Sequence, residues 1–168
     1  MENNVLLHFD ESYWIFKRFF HECYEFPVVY EDGLISRYKE NAGKKKAWGF
    51  IVDGYIVAIH PAAEEMTPAK ANDYCKTRRF AGRLGRLPSE SVLKKIKRNV
   101  FAVNEMLAQL GGTAFQSKWY MAENDRWYNA DFKLSPSTSA VNMGMYTENA
   151  AFFVGEETAA PFYPAVKI

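Results

Sequence analysis

Few side chains in this sequence could do covalent or metal chemistry, and they do not converge. The two cysteines, Cys23 and Cys75, stand far apart, with no Cys-x-x-Cys pair and no Cys/His cluster, so a structural zinc site is not expected. They could pair, but two isolated cysteines read first as free thiols. Each sits in an aromatic or helical core context, where a thiol is usually inert. His60 ends an apolar run, and no Ser or Cys can be named as a nucleophile that it would activate. It reads as a structural or surface histidine. No catalytic constellation appears, so neither an enzyme activity nor a cofactor is expected.

Oxygen donors of the hard type that calcium prefers gather at Glu123, Asn124, Asp125, Asn129 and Asp131. Acids clustered in a turn read first as a solvated turn, so calcium is kept as an alternative and no metal is assigned. The same region holds residues suited to recognition. Asn124, Asp125, Arg126, Trp127, Tyr128, Asn129 and Asp131, with Asn142 and Tyr146 further on, are the candidate ligand-binding set, because Tyr, Trp and Asn stack and hydrogen-bond well in binding loops. They fall on the Glu123–Asn129 loop and on the segment Ser135–Tyr146. For Trp119 and Trp127 the plainer reading is core packing.

Charge is unevenly placed. The net charge is +1, yet the window from Lys70 to Arg98 carries Arg78, Arg79, Arg83, Arg86, Lys94, Lys95 and Lys97 besides its two ends and Lys76, against only Asp73 and Glu90. This basic face is an alternative site for an anionic partner, a sulfated or acidic glycan, nucleic acid or an acidic protein face. The plainer reading is the solvated side of two helices and a loop, since amphipathic helices carry Lys and Arg routinely. No stacking platform with interleaved base-reading residues is visible, so specific nucleic-acid recognition is not expected.

These residues need a scaffold, and the sequence predicts most of one. Phe16, Phe19, Phe20 and Cys23 have the spacing of one helix face, so a helix is predicted over Asp10–Phe26, stopped by Pro27, with a strand reading left open. Val28–Tyr30 and Leu34–Tyr38 flank an Asp32-Gly33 turn, and Ala47–Val52 and Tyr55–His60 flank Asp53-Gly54; both read as antiparallel hairpins. The second has nearly continuous apolar runs, as strands buried on both faces do. Thr67-Pro68 opens a helix to about Arg78. Gly82 and Gly85 read as a break. Ser89 caps a helix with Val92, Leu93 and Ile96 inward and Lys94, Lys95 and Lys97 outward. Asn99 can cap a third helix, which Gly111 ends. Short strands follow at Trp119–Met121, Trp127–Phe132, Ala150–Val154 and Phe162–Ile168, with Ser135–Ser139 as a loop.

The chain of 168 residues suits one domain, alone or with an appendage, and it can bury a real core without disulfides. Aromatics make up 16%, which favours sheet and recognition surfaces. No apolar run reaches the length of a membrane span, and the first residues lack a basic region followed by an apolar stretch. As it stands, the chain reads as cytoplasmic or virion-associated, or as cell-surface if a leader has been removed.

The ordered fragments together resemble a known group. Tyr30-Glu31-Asp32-Gly33, Gly49-Phe50-Ile51-Val52, Ala71-Asn72-Asp73-Tyr74-Cys75, Leu87-Pro88-Ser89, Val103-Asn104-Glu105-Met106-Leu107, Gly111-Gly112, Trp119-Tyr120, Trp127 and Tyr163-Pro164-Ala165-Val166 follow the order of motifs in small bacterial C-type lectin-like domains. The resemblance is to the Fibrobacter succinogenes major paralogous domain and to the C-terminal domain of collagen-like adhesins, over Val28–Ile168. Trp119-Tyr120-Met121-Ala122 departs from the Tyr-Trp-Ser-Ser common there, and no Arg precedes Pro164. The resemblance implies an α+β, C-type lectin-like fold for residues 28–168, with two to three helices on small irregular antiparallel sheets, close termini and long binding loops in the second half. Residues 1–27 form an aromatic N-terminal extension, predicted as helical and packed on the domain. Function then reads as adhesion or receptor recognition of a glycan or a protein, without catalysis. A phage or retroelement-diversified receptor-binding protein is an alternative of the same class. The formylglycine-generating enzymes share this superfamily, but they need a reactive cysteine that the contexts of Cys23 and Cys75 do not suggest.

Overall fold

The computed structural model describes residues 5–14, 22–123 and 138–168. Among these, strands β1 (His8–Phe9), β2 (Cys23–Tyr30), β3 (Leu34–Tyr38), β4 (Ala47–Val52), β5 (Tyr55–Ala58), β6 (Arg79–Phe80), β7 (Arg83–Arg86) and β11 (Ala165–Lys167) build one sheet in the order β1-β3-β2-β4-β5-β11-β7-β6. Strands β8 (Trp119–Glu123), β9 (Thr138–Asn142) and β10 (Ala151–Phe153) build a second, antiparallel sheet in the order β10-β9-β8. Helices α1 (Pro68–Lys76), α2 (Glu90–Arg98) and α3 (Val100–Gln109) lie between β5 and β8 in the chain. The architecture is mixed α+β.

Local chemistry explains the regular parts. The β4–β5 hairpin turns on Asp53 and Gly54, both with positive φ (48° and 79°). That is the geometry of a two-residue turn whose twist matches the strands, and Asp-Gly tolerates it. Ser89 Oγ accepts from Val92 N at 3.2 Å and so satisfies a free donor at the start of α2. Val92, Leu93 and Ile96 are fully buried, each worth roughly 1.5–3 kcal/mol of transfer from water. Gly111, with φ 77°, follows the end of α3.

The central strands are buried on both faces. Val28, Tyr30, Phe50, Val52 and Val57 pack with α2 and α3 residues in the largest core. Val29, Ile35, Ile56 and Val166 face the other way, with Phe80, Tyr13 and Trp48. A third cluster of Ala71, Cys75, Leu87, Met121 and Phe162 joins α1 to β8 and so ties the two sheets together. The last strand closes the main sheet: β11 lies antiparallel between β5 and β7, with Ala165 opposite Val57 and Arg86.

Three predicted elements differ. The stretch Asp10–Phe26 is not a helix where it is described: Glu11–Trp14 is a short 3-10 turn and β2 begins at Cys23. The boundary drawn between residues 27 and 28 therefore falls inside a strand. Pro27 is accommodated where the β2–β3 register shifts, between Cys23 and Val28, because proline has no N–H for a regular ladder. Ser12, fully buried, fastens this N-terminal part: its Oγ donates to Asp10 and accepts from Arg37 N at 2.7 Å. The Gly82–Arg86 break is instead the β6–β7 hairpin. Within the segment expected as loop and binding surface, Thr138–Asn142 is the central strand of the second sheet, with Thr138 to Val141 buried.

Candidate binding groove on the second sheet

Asn124, Asp125, Arg126, Trp127, Tyr128, Asn129 and Asp131 lie outside the described residues, in the connection between β8 and β9. The other two predicted ligand-binding residues part company. Asn142 is half-buried, and its Oδ1 accepts from Gly144 N at 2.7 Å, so it shapes a turn. Tyr146 is 93% exposed at the tip of that turn. Thr147 closes the turn: its N and Oγ1 both donate to Gly144 O, at 3.2 and 2.6 Å. Lys97 then locks it to α2, Nζ donating to Thr147 Oγ1 at 2.6 Å and Glu148 O at 2.7 Å.

Lys97 is thus buried, not outward-facing as its neighbours Lys94 and Lys95 suggested. It reaches the turn from the same side of α2 as the buried stripe, and burial pushes its ammonium pKa down. Most of the rest of the basic face is divided among internal partners. Arg86 Nε and Nη2 donate to Glu123 Oε2 at 3.1 and 2.5 Å. Lys95 Nζ donates to Asp53 Oδ1 at 2.9 Å, and Lys94 stands 4.0 Å from Glu90 one helical turn back. Arg83 Nη1 reaches Ala81 O at 3.4 Å, Arg78 lies over the Tyr74 ring, and Arg79 is exposed on β6. Arg86 and Glu123 meet because Ser89 pairs with Glu123 in an isolated parallel bridge.

Sequence reasoning missed an exposed pair of aromatic rings on the second sheet. Trp119, expected in the core, is 39% exposed, and Phe152 is 57% exposed. They meet edge to face at 5.2 Å. Cross-strand register explains the contact. Trp119 on β8 is opposite Asn142, and Phe152 on β10 is opposite Ala140, two residues along the same face of β9. Ala140 is small enough to leave the two rings touching across it. The pair lines an apolar groove of about 690 Å³ with Ala140, Pro161, Lys118 and Glu65. Ser117 also lines it, and its Oγ lies 3.4 Å from where a Cβ on Gly144 would stand, so the turn bearing Tyr146 lies beside the groove.

The groups that could react are engaged elsewhere. His60 lies beyond the end of β5, with Nδ1 2.8 Å from Thr113 Oγ1. Cys23 and Cys75 are free and buried; burial raises both pKa values, that of Cys75 to about 12. A thiol-specific disulfide reagent at neutral pH is therefore expected to leave both unlabelled in the native protein and to label two thiols per chain in denaturant. Rapid labelling of the folded protein would contradict the buried placement. Among the described residues no group of three or more His, Cys, Asp or Glu is placed to hold a metal, and Glu123 of the predicted oxygen donors is already paired with Arg86. No helix among them is long and apolar enough to cross a membrane. Compared with protein-family models, curated proteins and solved structures, the chain shows no match to any.

Proposed function

We propose that the chain is a ligand-binding module of C-type lectin-like architecture, which holds an apolar segment of a protein ligand in the groove of the second sheet. One observation carries this reading: the exposed Trp119–Phe152 pair, fixed by strand register, lining a concavity of about 690 Å³. Exposed large aromatics on a rigid sheet cost little entropy to use, and such residues dominate binding energy where they are desolvated. The rings stand at 65° to each other. Two faces at that angle make a notch for a side chain rather than a flat platform for a sugar ring, so a protein ligand is favoured over a glycan. The lectin-like architecture is supported by the adjacency of β5 and the last strand, by the helices between them, and by a three-stranded antiparallel sheet whose first two strands flank residues 124–137. Tyr146, 93% exposed on the turn next to Ser117, stands beside the groove.

The test is selection of peptide binders from a displayed library on the full chain, beside a glycan array. Binders are expected to lose about tenfold or more in affinity on Trp119→Ala and on Phe152→Ala, with a smaller stability cost for Phe152→Ala, the more exposed of the two rings. Binders that hold equally well to both variants would remove the groove from function. A specific glycan signal that the same variants abolish would replace the protein ligand with a sugar.

A further inference from the structure

A second concavity shares no lining residue with the groove. It is a cleft of about 410 Å³, walled by the start of β4, the chain just after β5 and the ends of α1 and α3. Pockets of this size suit small molecules. Its polar groups are held in place before any ligand arrives. Arg78 follows α1, and its guanidinium carbon lies 4.5 Å from the Tyr74 ring centre while it donates to the Tyr74 hydroxyl. His60 is oriented through Nδ1 by Thr113, so Nε2 is the ring nitrogen left for a ligand. Trp48 is braced by stacking on Phe80 at 4.7 Å and 26°.

The charge in the cleft is positive on balance. Arg78 and Lys46 contribute cations, and Glu31 contributes one carboxylate, 4.0 Å from Lys46. The C-terminal end of α3 adds a partial negative charge of about half a unit at Leu110 and Gly111, which does not cancel the remaining cation. The ion pairs among the described residues leave Arg78 and His60 without a carboxylate partner. A fixed guanidinium with open donors is suited to a two-oxygen anion, and an aromatic wall beside it is suited to a ring.

We propose that this cleft binds a small organic anion carrying a flat ring, its carboxylate or phosphate taken by Arg78 and His60 and its ring laid against Trp48. The site is independent of the groove and of the reading given to the groove.

Benzoate and phenyl phosphate are the two probes, titrated into the full chain while the Trp48 indole N–H resonance is followed by NMR, with Trp48→Phe to assign it. At least one probe is expected to give a saturable shift, with a Kd of about millimolar for fragments this small. Arg78→Gln is expected to weaken binding about tenfold, and His60→Ala to weaken it further or equally. Arg98→Gln, on the exposed side of α2, is expected to change nothing. Response to one probe alone identifies the headgroup as carboxylate or phosphate. Absence of a saturable shift with both probes overturns the proposal, as does unchanged affinity in Arg78→Gln. Equal affinity for benzyl alcohol overturns the anion requirement. All the variants change exposed or half-buried side chains, and an intact spectrum elsewhere establishes that each is folded.

Discussion

Gly85→Ala is expected to lose more than about 3 kcal/mol of stability, and to leave little folded protein if the parent is only marginally stable. Gly85 is buried in β7 under the end of α1. A Cβ there would stand 2.0 Å from Cys75 O and 2.6 Å from Arg78 O. Both obstacles are backbone, so neither can swing aside. Gly85 N also donates to Arg78 O at 2.7 Å, which fixes how closely α1 approaches the sheet. Relief of the clash requires α1 to lift, and Cys75 and Ala71, both fully buried, would leave the cluster that joins the sheets. Gly43→Ala is the control, because nothing lies within 4 Å of its Cβ position. That change is expected to stay within about 0.5 kcal/mol. Equal urea midpoints for the two variants would show that α1 does not rest on Gly85.

The second large effect is a loss of stability in alkali. Burial raises the Cys75 pKa from 9.0 to about 12, and it raises those of Tyr24, Tyr30, Tyr120 and Tyr163 above the ordinary phenol value of 10.0. Between the ordinary and the raised values the unfolded chain has lost these protons while the folded chain keeps them. The unfolded state then binds fewer protons, so stability falls as pH rises. The contribution is intact below pH 9.0 and disappears progressively through the interval up to about 12 for Cys75. That thiol alone accounts for on the order of 4 kcal/mol across the interval. Urea midpoints are expected to be level below pH 9.0 and to drop steeply above it. Cys75→Ala should start lower, because it opens a small cavity, and should fall less steeply. A parent midpoint that stays level well above pH 10.0 would show that these groups are reached by water in the folded state.

What the sequence disclosed depended on how local the cause was. The Asp53-Gly54 hairpin and α2 could be read because a turn pair and a Ser89 cap with an apolar stripe act within a few residues. The β6–β7 hairpin could not. It is short, basic and rich in glycine, and β7 becomes a sheet strand only because β11, far along the chain, pairs beside it. The helix expected at Asp10–Phe26 rested on an aromatic period that ran on to Cys23. The partners in β3 and β4 make that end a strand instead, which is tertiary context overriding spacing. Exposure of Trp119 was hidden for another reason. Tyr120, Met121 and Ala122 are buried on successive positions, so β8 shows no alternation to mark an open side. The division of the basic face followed from Arg86–Glu123 and Lys95–Asp53, contacts between residues distant in sequence. The α+β class was legible; the groove was not.

The place of β11 has a consequence for synthesis. Until Ala165–Lys167 leave the ribosome, the facing edges of β5 and β7 have no strand between them. Every hydrogen bond on those edges waits for a segment about a hundred residues later than β5, and loop closure of that length is slow. Open edges on a growing chain invite pairing with other chains. The nascent chain therefore passes through a period of aggregation risk that lasts until β11 has been made. Production at lower temperature or with a holding chaperone is expected to raise the soluble yield.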